Sequence, residues 1–356
     1  MEDLYESLRK RIDTFSSGYP ATQSGIELKI LRQLYSEEEA RIFLDLTHFP
    51  ETPEQLSVRL AKDLEPLEKT LYDMSVKGLI FRYRSKTKTY YMPIPFVVGI
   101  MEFQVKRVEA DLELAKNFAN YGEEAFIATM QALDTPHHRA IPINRDIVDQ
   151  WPIAIYDDAV AILNAQKKIA VAPCVCRTIM KKTERQNCGK PVETCIMFGA
   201  AADYYIENGL GREIKLDEAL EIIKQSDEAG LILQPANAKQ AGAICNCCGD
   251  CCGMIHSLKK QPSPAKAVKS SYYAGIKTEE CVGCGICLDR CQMEAIKIEE
   301  DKAEIDLNRC IGCGLCVTKC PTEAAFLVKK PEEDLYNPPE NSMEMHIRMA
   351  QERGFM

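Results

Sequence analysis

The chain has 356 residues, a formal net charge of −9, a composition that is 46% apolar and 27% charged, and 17 cysteines. That charge balance disfavours non-specific attraction to nucleic acid or to an anionic membrane surface. The opening MEDLYESLRK is acidic and unlike a secretory signal, and the most apolar run, IPFVVGIMEF, stops at Glu102, too short for a bilayer, so no membrane insertion and a cytoplasmic location are expected. In that reducing compartment so many cysteines point to metal ligation rather than to disulfides.

No cysteine precedes Cys174. In that first half, SEEEARIFLDLTHF predicts a helix capped by Ser36 with Glu39 completing a capping box, and TPEQLSVRLAKDL a second one capped by Thr52 with Pro53 in its first turn. LEPLEKTLYDMSVKGLI predicts a third, and FRYRSKTKTYYMPI alternates on either side of residues 85–88, as a hairpin does. Three helices and a hairpin in this order, over roughly residues 25–100, resemble the winged helix-turn-helix domain of transcription regulators. Fold does not give function, and here charge argues against DNA. The third helix sets Asp63, Glu65, Glu68 and Asp73 against Lys62, Lys69 and Lys77, and only the hairpin is basic, through Arg82, Arg84, Lys86 and Lys88. A module for docking to a partner or for homodimerisation is favoured, with a redox-sensing winged-helix regulator as the alternative. The stretch from Pro95 to Leu133 predicts a long amphipathic helical region. His137 and His138 in DTPHHRAIPIN are candidate ligands, but as a loop pair beside two prolines they are expected to be exposed and without a role.

The middle of the chain carries two groups of thiols as candidate metal ligands: Cys174, Cys176, Cys188 and Cys195, then Cys245, Cys247, Cys248, Cys251 and Cys252 in CNCCGDCC. Nine exceed two four-ligand sites by one. In extended backbone Cys245 and Cys247 face one side and Cys248 the other, so a common metal needs a sharp turn, which Gly249 or Gly253 could supply. A further iron–sulfur cluster with an open position, a structural zinc site, and free redox-active thiols are all compatible with this pattern. Arg177 would offset a cluster's charge or lie on the surface. TCIMFGAAADYYIENGLG predicts a helix from Thr194, which puts Cys195 in a first turn where the helix dipole favours a thiolate. KLDEALEIIKQSDEAG predicts another that ends at Gly230 and buries Leu216, Ala219, Leu220, Ile222 and Ile223. His256 is expected to be solvated, and KKQPSPAKAVKSS to be a linker.

The last eight cysteines are the strongest signal. CVGCGICLDRC and CIGCGLCVTKCP both have the spacing C-x2-C-x2-C-x3-C and resemble the bacterial two-cluster ferredoxins. Glycines at 283, 285, 312 and 314 suit tight turns that aim N–H groups at sulfur. The resemblance implies two [4Fe-4S] clusters, one on Cys281, Cys284, Cys287 and Cys320, the other on Cys310, Cys313, Cys316 and Cys291. Two zinc sites would use as many thiolates, but the doubled repeat with its glycines favours clusters. Gln292 departs from the pattern, standing where the second run has Pro321. EAIKIEEDKAEIDL and EAAFLVKK alternate as short strands, and the tail from Glu340 predicts a helix whose Met343, Met345, Ile347 and Met349 would dock on the body or on a partner.

The whole order, HHRAIPIN, APCVCR, ETCIMFG, ICNCCGDCC and two ferredoxin runs, is similar to a group of anaerobe proteins described as 4Fe-4S binding proteins, which implies iron–sulfur electron transfer and a redox partner protein. The expected fold is α+β multidomain: a winged-helix-like domain (1–100), a helical connector (101–135), a helical Cys-rich metal-binding domain (136–260), a linker (261–271), a ferredoxin-like 2[4Fe-4S] domain (272–330) and a tail (331–356). No nucleotide-binding glycine loop or serine nucleophile elbow is present, so an electron-transfer component is favoured over a self-contained enzyme, with a reductase built on an open middle cluster as the alternative.

Overall fold

The computed structural model describes residues 3–142 and 157–355. Residues 143 and 144 of the quoted HHRAIPIN lie outside that range.

The first half forms as its caps dictate. Ser36 and Glu39 make a reciprocal capping box at the helix Glu37–Asp45, and Thr52 and Gln55 make a second at Pro53–Leu60. After the helix Leu64–Val76 come strands β1 (Phe81–Arg84) and β2 (Thr89–Met92), antiparallel, with Arg84 opposite Thr89. The expected long helix up to residue 133 is instead broken: Met101–Phe103, Val105–Ala110 and Leu112–Tyr121 are separate pieces. Asp111 takes an extended conformation and caps the last of them by accepting from the N–H groups of Glu113 and Leu114.

The middle region differs from the all-helical expectation. It contains a five-stranded antiparallel sheet of β3 (Ile169–Pro173), β4 (Glu193–Phe198), β5 (Arg212–Ile214), β6 (Ile232–Pro235) and β7 (Ala243–Cys247), in the order β5-β3-β4-β7-β6. Thr194 therefore does not open a helix. Thr194, Ile196 and Phe198 alternate into the interior of β4, and Gly199, at φ +52°, breaks the strand before the helix Gly199–Glu207 begins. Cys195 lies on a strand, so no helix dipole acts on it. The second expected helix forms over Leu216–Glu228, with Gly230 at φ +70° beyond its end.

The cysteine-free half is not separate from this sheet. One buried apolar cluster runs from Leu8 and Ile12 through Phe96 and Phe118 to Ala172, Met197, Tyr204 and Tyr205. Tyr204 donates its hydroxyl proton to the Ser75 carbonyl at 2.6 Å, and its ring packs 4.4 Å from that of Phe103. Arg82, 2% exposed, pairs with Glu207 at 3.0 Å, and Arg84 reaches the same carboxylate. Two of the four hairpin cations are thus engaged within the molecule. The tail helix Ser342–Glu352 docks on the body: Met345 and Met349 are buried, His346 Nδ1 lies 2.8 Å from Ser16 Oγ, and Arg353 pairs with Asp13.

The ferredoxin region pairs β8 (Tyr272–Ile276) with β11 (Ala325–Lys329), and β9 (Ile296–Glu299) with β10 (Lys302–Ile305). The segment before it, expected as a free linker, is packed: Pro264–Ala267 is a helical turn, and Val268, Ser270 and Ser271 are buried.

Candidate metal centres

The sheet explains how distant cysteines meet. Ile196 is opposite Ile244, which sets Cys195 and Cys245 side by side on β4 and β7, and Cys247 follows on the same face of β7. Cys174 follows β3 at the N-cap position of the helix Val175–Lys182, Cys176 lies in the first turn of that helix, and Cys252 stands at the N-cap position of the helix Gly253–Lys259. These six thiols form a closed ring of neighbours, in the order Cys174, Cys176, Cys252, Cys247, Cys245, Cys195 and back to Cys174. Contact with their two ring neighbours holds Cys174, Cys252 and Cys245 well below the ordinary thiol range. The same contacts push Cys176, Cys247 and Cys195 up.

The other three middle thiols are elsewhere. The turn at Gly249 takes Cys248 and Cys251 out of the ring's succession of neighbours while leaving both on the wall of a cavity that the ring also lines, and their sulfurs and that of Cys188 all lie within 4.8 Å of one another. Cys248 and Cys251 are buried beside Leu231, with Met180 and Ala229 packed against them. Arg177 is 3% exposed rather than on the surface. It donates to the Asn246 carbonyl at 3.0 Å and to Thr194 Oγ1, and its charge acts on Cys174 and Cys247 of the ring and on Cys248 of the trio.

Both histidines expected to be exposed are buried, His137 at 1% and His138 at 8%. Their segment runs along β6, where Arg139 N–H donates to the Pro235 carbonyl and Ile141 bridges Leu233. His138 faces Cys245; burial opposes its charge, but the neighbouring thiolate outweighs that and holds its pKa above the usual value. His256 is not free in solvent, since Nε2 lies 2.8 Å from the Gly249 carbonyl oxygen.

Two apolar cavities meet the ring. One, of about 180 Å³, is lined by all six ring cysteines. The other, of about 340 Å³, lies between Phe81, Phe103, Tyr205 and Met345 and reaches Cys195 and Cys245. Glu102 and His138 line both. Glu102 was not a candidate in the sequence, where it only ended an apolar run. Its carboxylate accepts from Gly99 N–H at 2.6 Å, and desolvation, with Cys245 adding repulsion and His138 opposing it, raises its pKa to about 7. A raised carboxyl contributes stability that is intact below its unfolded pKa and lost as pH rises through about 7. Glu102→Gln is therefore expected to leave thermal stability unchanged near pH 4.5 and to raise it progressively towards pH 7, to a gain of at most about 3 kcal/mol. A melting series across pH that shows a constant difference would contradict this.

The ferredoxin cysteines gather in two sets. A small cavity is lined by Cys281, Cys284, Cys287 and Cys320, and a second by Cys291, Cys310, Cys313 and Cys316. Four sulfurs already accept backbone N–H bonds: Cys281 from Ala303, Cys291 from Ala295, Cys310 from Ala274 and Cys320 from Ala325, at 3.2–3.4 Å. Such donors suit anionic thiolate, so these surroundings fit a cluster's ligands. Gln292 has a use that proline could not serve. Its Oε1 accepts from Gly249 N–H at 2.8 Å and its Nε2 donates to the Gly230 carbonyl at 3.1 Å, joining the Cys291 turn to the turn between Cys248 and Cys251. Arg290 adds an ion pair with Asp227 at 2.8 Å.

No helix of the described residues is long and apolar enough to cross a membrane. No curated protein and no solved structure matches the chain. Residues 274–327 match the family described as the 4Fe-4S dicluster domain, so the protein is an iron–sulfur protein with a ferredoxin-like domain at its C-terminal end.

Proposed function

We propose that the protein is a cytoplasmic electron-transfer component that links a redox partner at its ferredoxin face to a third, buried iron–sulfur centre in the ring of six thiols. Cys281, Cys284, Cys287 and Cys320 would hold one [4Fe-4S] cluster, and Cys310, Cys313, Cys316 and Cys291 the other. Bound clusters of this kind exchange single electrons.

The observation that carries it is continuity of dry packing. Cys281 and Cys316 share one buried apolar cluster, against which Cys287, Cys291, Cys310 and Cys320 pack. Cys291 and Cys310 also pack against a second cluster, which contains Cys247 and Cys252 of the ring. Ile311, Leu315 and Met293, each at most 2% exposed, exclude water along that second stretch. Exposure falls in the same direction. Cys284 is exposed, with Val282, Ile286 and Leu288 exposed around it, whereas Cys247 and Cys252 of the ring are buried and its other four cysteines half-buried. The apolar rim at Cys284 suits a docking protein. Residues 25–100 are read as a winged-helix-like module for docking rather than DNA binding, because Arg82 and Arg84 are taken up by Glu207.

A second reading, that the ring is where a substrate is reduced, is favoured by the two cavities that end on it with Glu102 and His138 in their common wall. An apolar pocket with a few convergent polar groups is the usual form of a substrate site.

Iron and acid-labile sulfide per chain, measured on protein purified without oxygen, test the proposal. Clearly more than about eight irons with matching sulfide is the expected result, because two cubanes account for eight. About eight irons in Cys195→Ser would assign the excess to the ring. Eight in the unaltered protein would end the case for a third centre.

A further inference from the structure

The nine middle cysteines divide into six and three, and the smaller group has a geometry of its own. A thiophilic ion held tetrahedrally at a metal–sulfur distance of about 2.3 Å places its sulfurs about 3.8 Å apart. Cys188, Cys248 and Cys251 lie within 4.8 Å of one another and are the only such set of cysteine, histidine, aspartate or glutamate donors among the described residues. No three ring sulfurs meet that criterion, and neither do any three of the ferredoxin sulfurs. Ring neighbours touch in pairs without closing such a triangle, whereas the trio, mutually close, has the dimensions of a site for one ion.

We propose that Cys188, Cys248 and Cys251 form a separate mononuclear site for a thiophilic divalent cation of the zinc class, distinct from the ring, with its fourth position left to an exogenous ligand such as water.

The nearby donors are committed elsewhere. Asp250 pairs with Lys190 at 3.6 Å, and the His256 ring reaches the Gly249 carbonyl. Three thiolates on a dication carry one net negative charge, and Arg177, buried between Cys248 and the ring residues Cys174 and Cys247, supplies a fixed positive charge at the boundary of the two sites. The apolar wall of Leu231, Met180 and Ala229 shields the site on one side, and half-buried Cys188 marks its open side. The Gln292 bond to Gly249 fixes the Cys248–Cys251 turn from the ferredoxin side, so the turn is held in place before any ion binds.

The site stands or falls independently of the electron-transfer reading, and the test separates them. Anaerobically purified protein is given Zn²⁺, desalted against a chelator and analysed for zinc and iron, alongside Cys188→Ser, Cys251→Ser and Cys195→Ser. About one zinc per chain is expected in the unaltered protein, with three sulfurs and one oxygen or nitrogen in its zinc-edge X-ray absorption. Cys188→Ser and Cys251→Ser should each lower retained zinc at least about tenfold with iron unchanged, while Cys195→Ser should keep the zinc. Loss of iron in Cys188→Ser would assign the trio to the cluster and overturn the proposal, as would the absence of retained zinc or a four-sulfur shell.

Discussion

Gly312→Ala is expected to empty one ferredoxin site and leave the other filled, lowering iron by about four per chain. Gly312 has φ +66°, and a methyl group there would come within 2.2 Å of the Tyr272 carbonyl oxygen on β8. Tyr272 is paired in register with Lys329, so that carbonyl belongs to a strand that cannot shift without opening β8 from β11. The left-handed conformation costs a non-glycine residue about 1–2 kcal/mol, and overpacking typically adds about 1–3 more. Gly283 mirrors it in the other repeat, at φ +63° with the Asp301 carbonyl oxygen 2.3 Å from the added carbon. Gly283→Ala should therefore cost the site lined by Cys281, Cys284, Cys287 and Cys320, and Gly312→Ala the site lined by Cys291, Cys310, Cys313 and Cys316. Gly285 provides the control, since it has φ +79° but nothing within 4 Å of an added methyl group. Gly285→Ala bears only the backbone term, so it should keep most of its iron. If all three substitutions lower iron alike, the steric part of the argument is wrong.

These glycines show what the sequence could carry. The ferredoxin spacing is local: three cysteines and two glycines within a few residues specify their own turn, and the cavities lined by Cys281, Cys284, Cys287 and Cys320 and by Cys291, Cys310, Cys313 and Cys316 follow the two expected groups. Ser36, Glu39 and Thr52 were legible for the same reason, because a cap and its partner lie three residues apart. The middle site depends on strand register between segments about fifty residues apart, which periodicity in one segment does not reveal. TCIMF followed by GAAADYYIE is one continuous apolar run, which mimics a helix at Cys195, whereas the β-branched Thr194 and Ile196 together with Gly199 are the signals that a strand ends there. The division of CNCCGDCC was foreshadowed by its alternation: Cys245 and Cys247 share a face of β7, and Cys248 begins the turn. Which further thiols join each face depends on β3, β4 and the loop at Cys188. Glu102 and His138 carried no local mark of function at all, since only the folded chain brings them to the ring.

Arg139→Met is expected to destabilise the protein by about 3–5 kcal/mol, because it strands a buried carboxylate. Arg139 is 1% exposed and pairs through Nη1 with Asp157 Oδ1, and the other oxygen of Asp157 accepts from Ser271 Oγ at 2.6 Å. Asp157 is itself 4% exposed. The trio joins the strand-like segment beside β6 to the residue that leads into β8, so it connects the middle sheet with the ferredoxin region. Attraction within a buried pair is largely offset by the desolvation of both charges, so removing the two together should be far less harmful than removing one. The double variant Arg139→Met with Asp157→Leu is accordingly expected to recover a large part of the loss, keeping a deficit that includes the unpaired Ser271 hydroxyl, on the order of 1–3 kcal/mol. Thermal midpoints of the two variants, followed by circular dichroism on anaerobic protein, give the comparison. A double variant that melts no higher than Arg139→Met would show that the pair is stabilising in itself, and that the join between the two metal-bearing regions depends on the charges and not merely on filling their space.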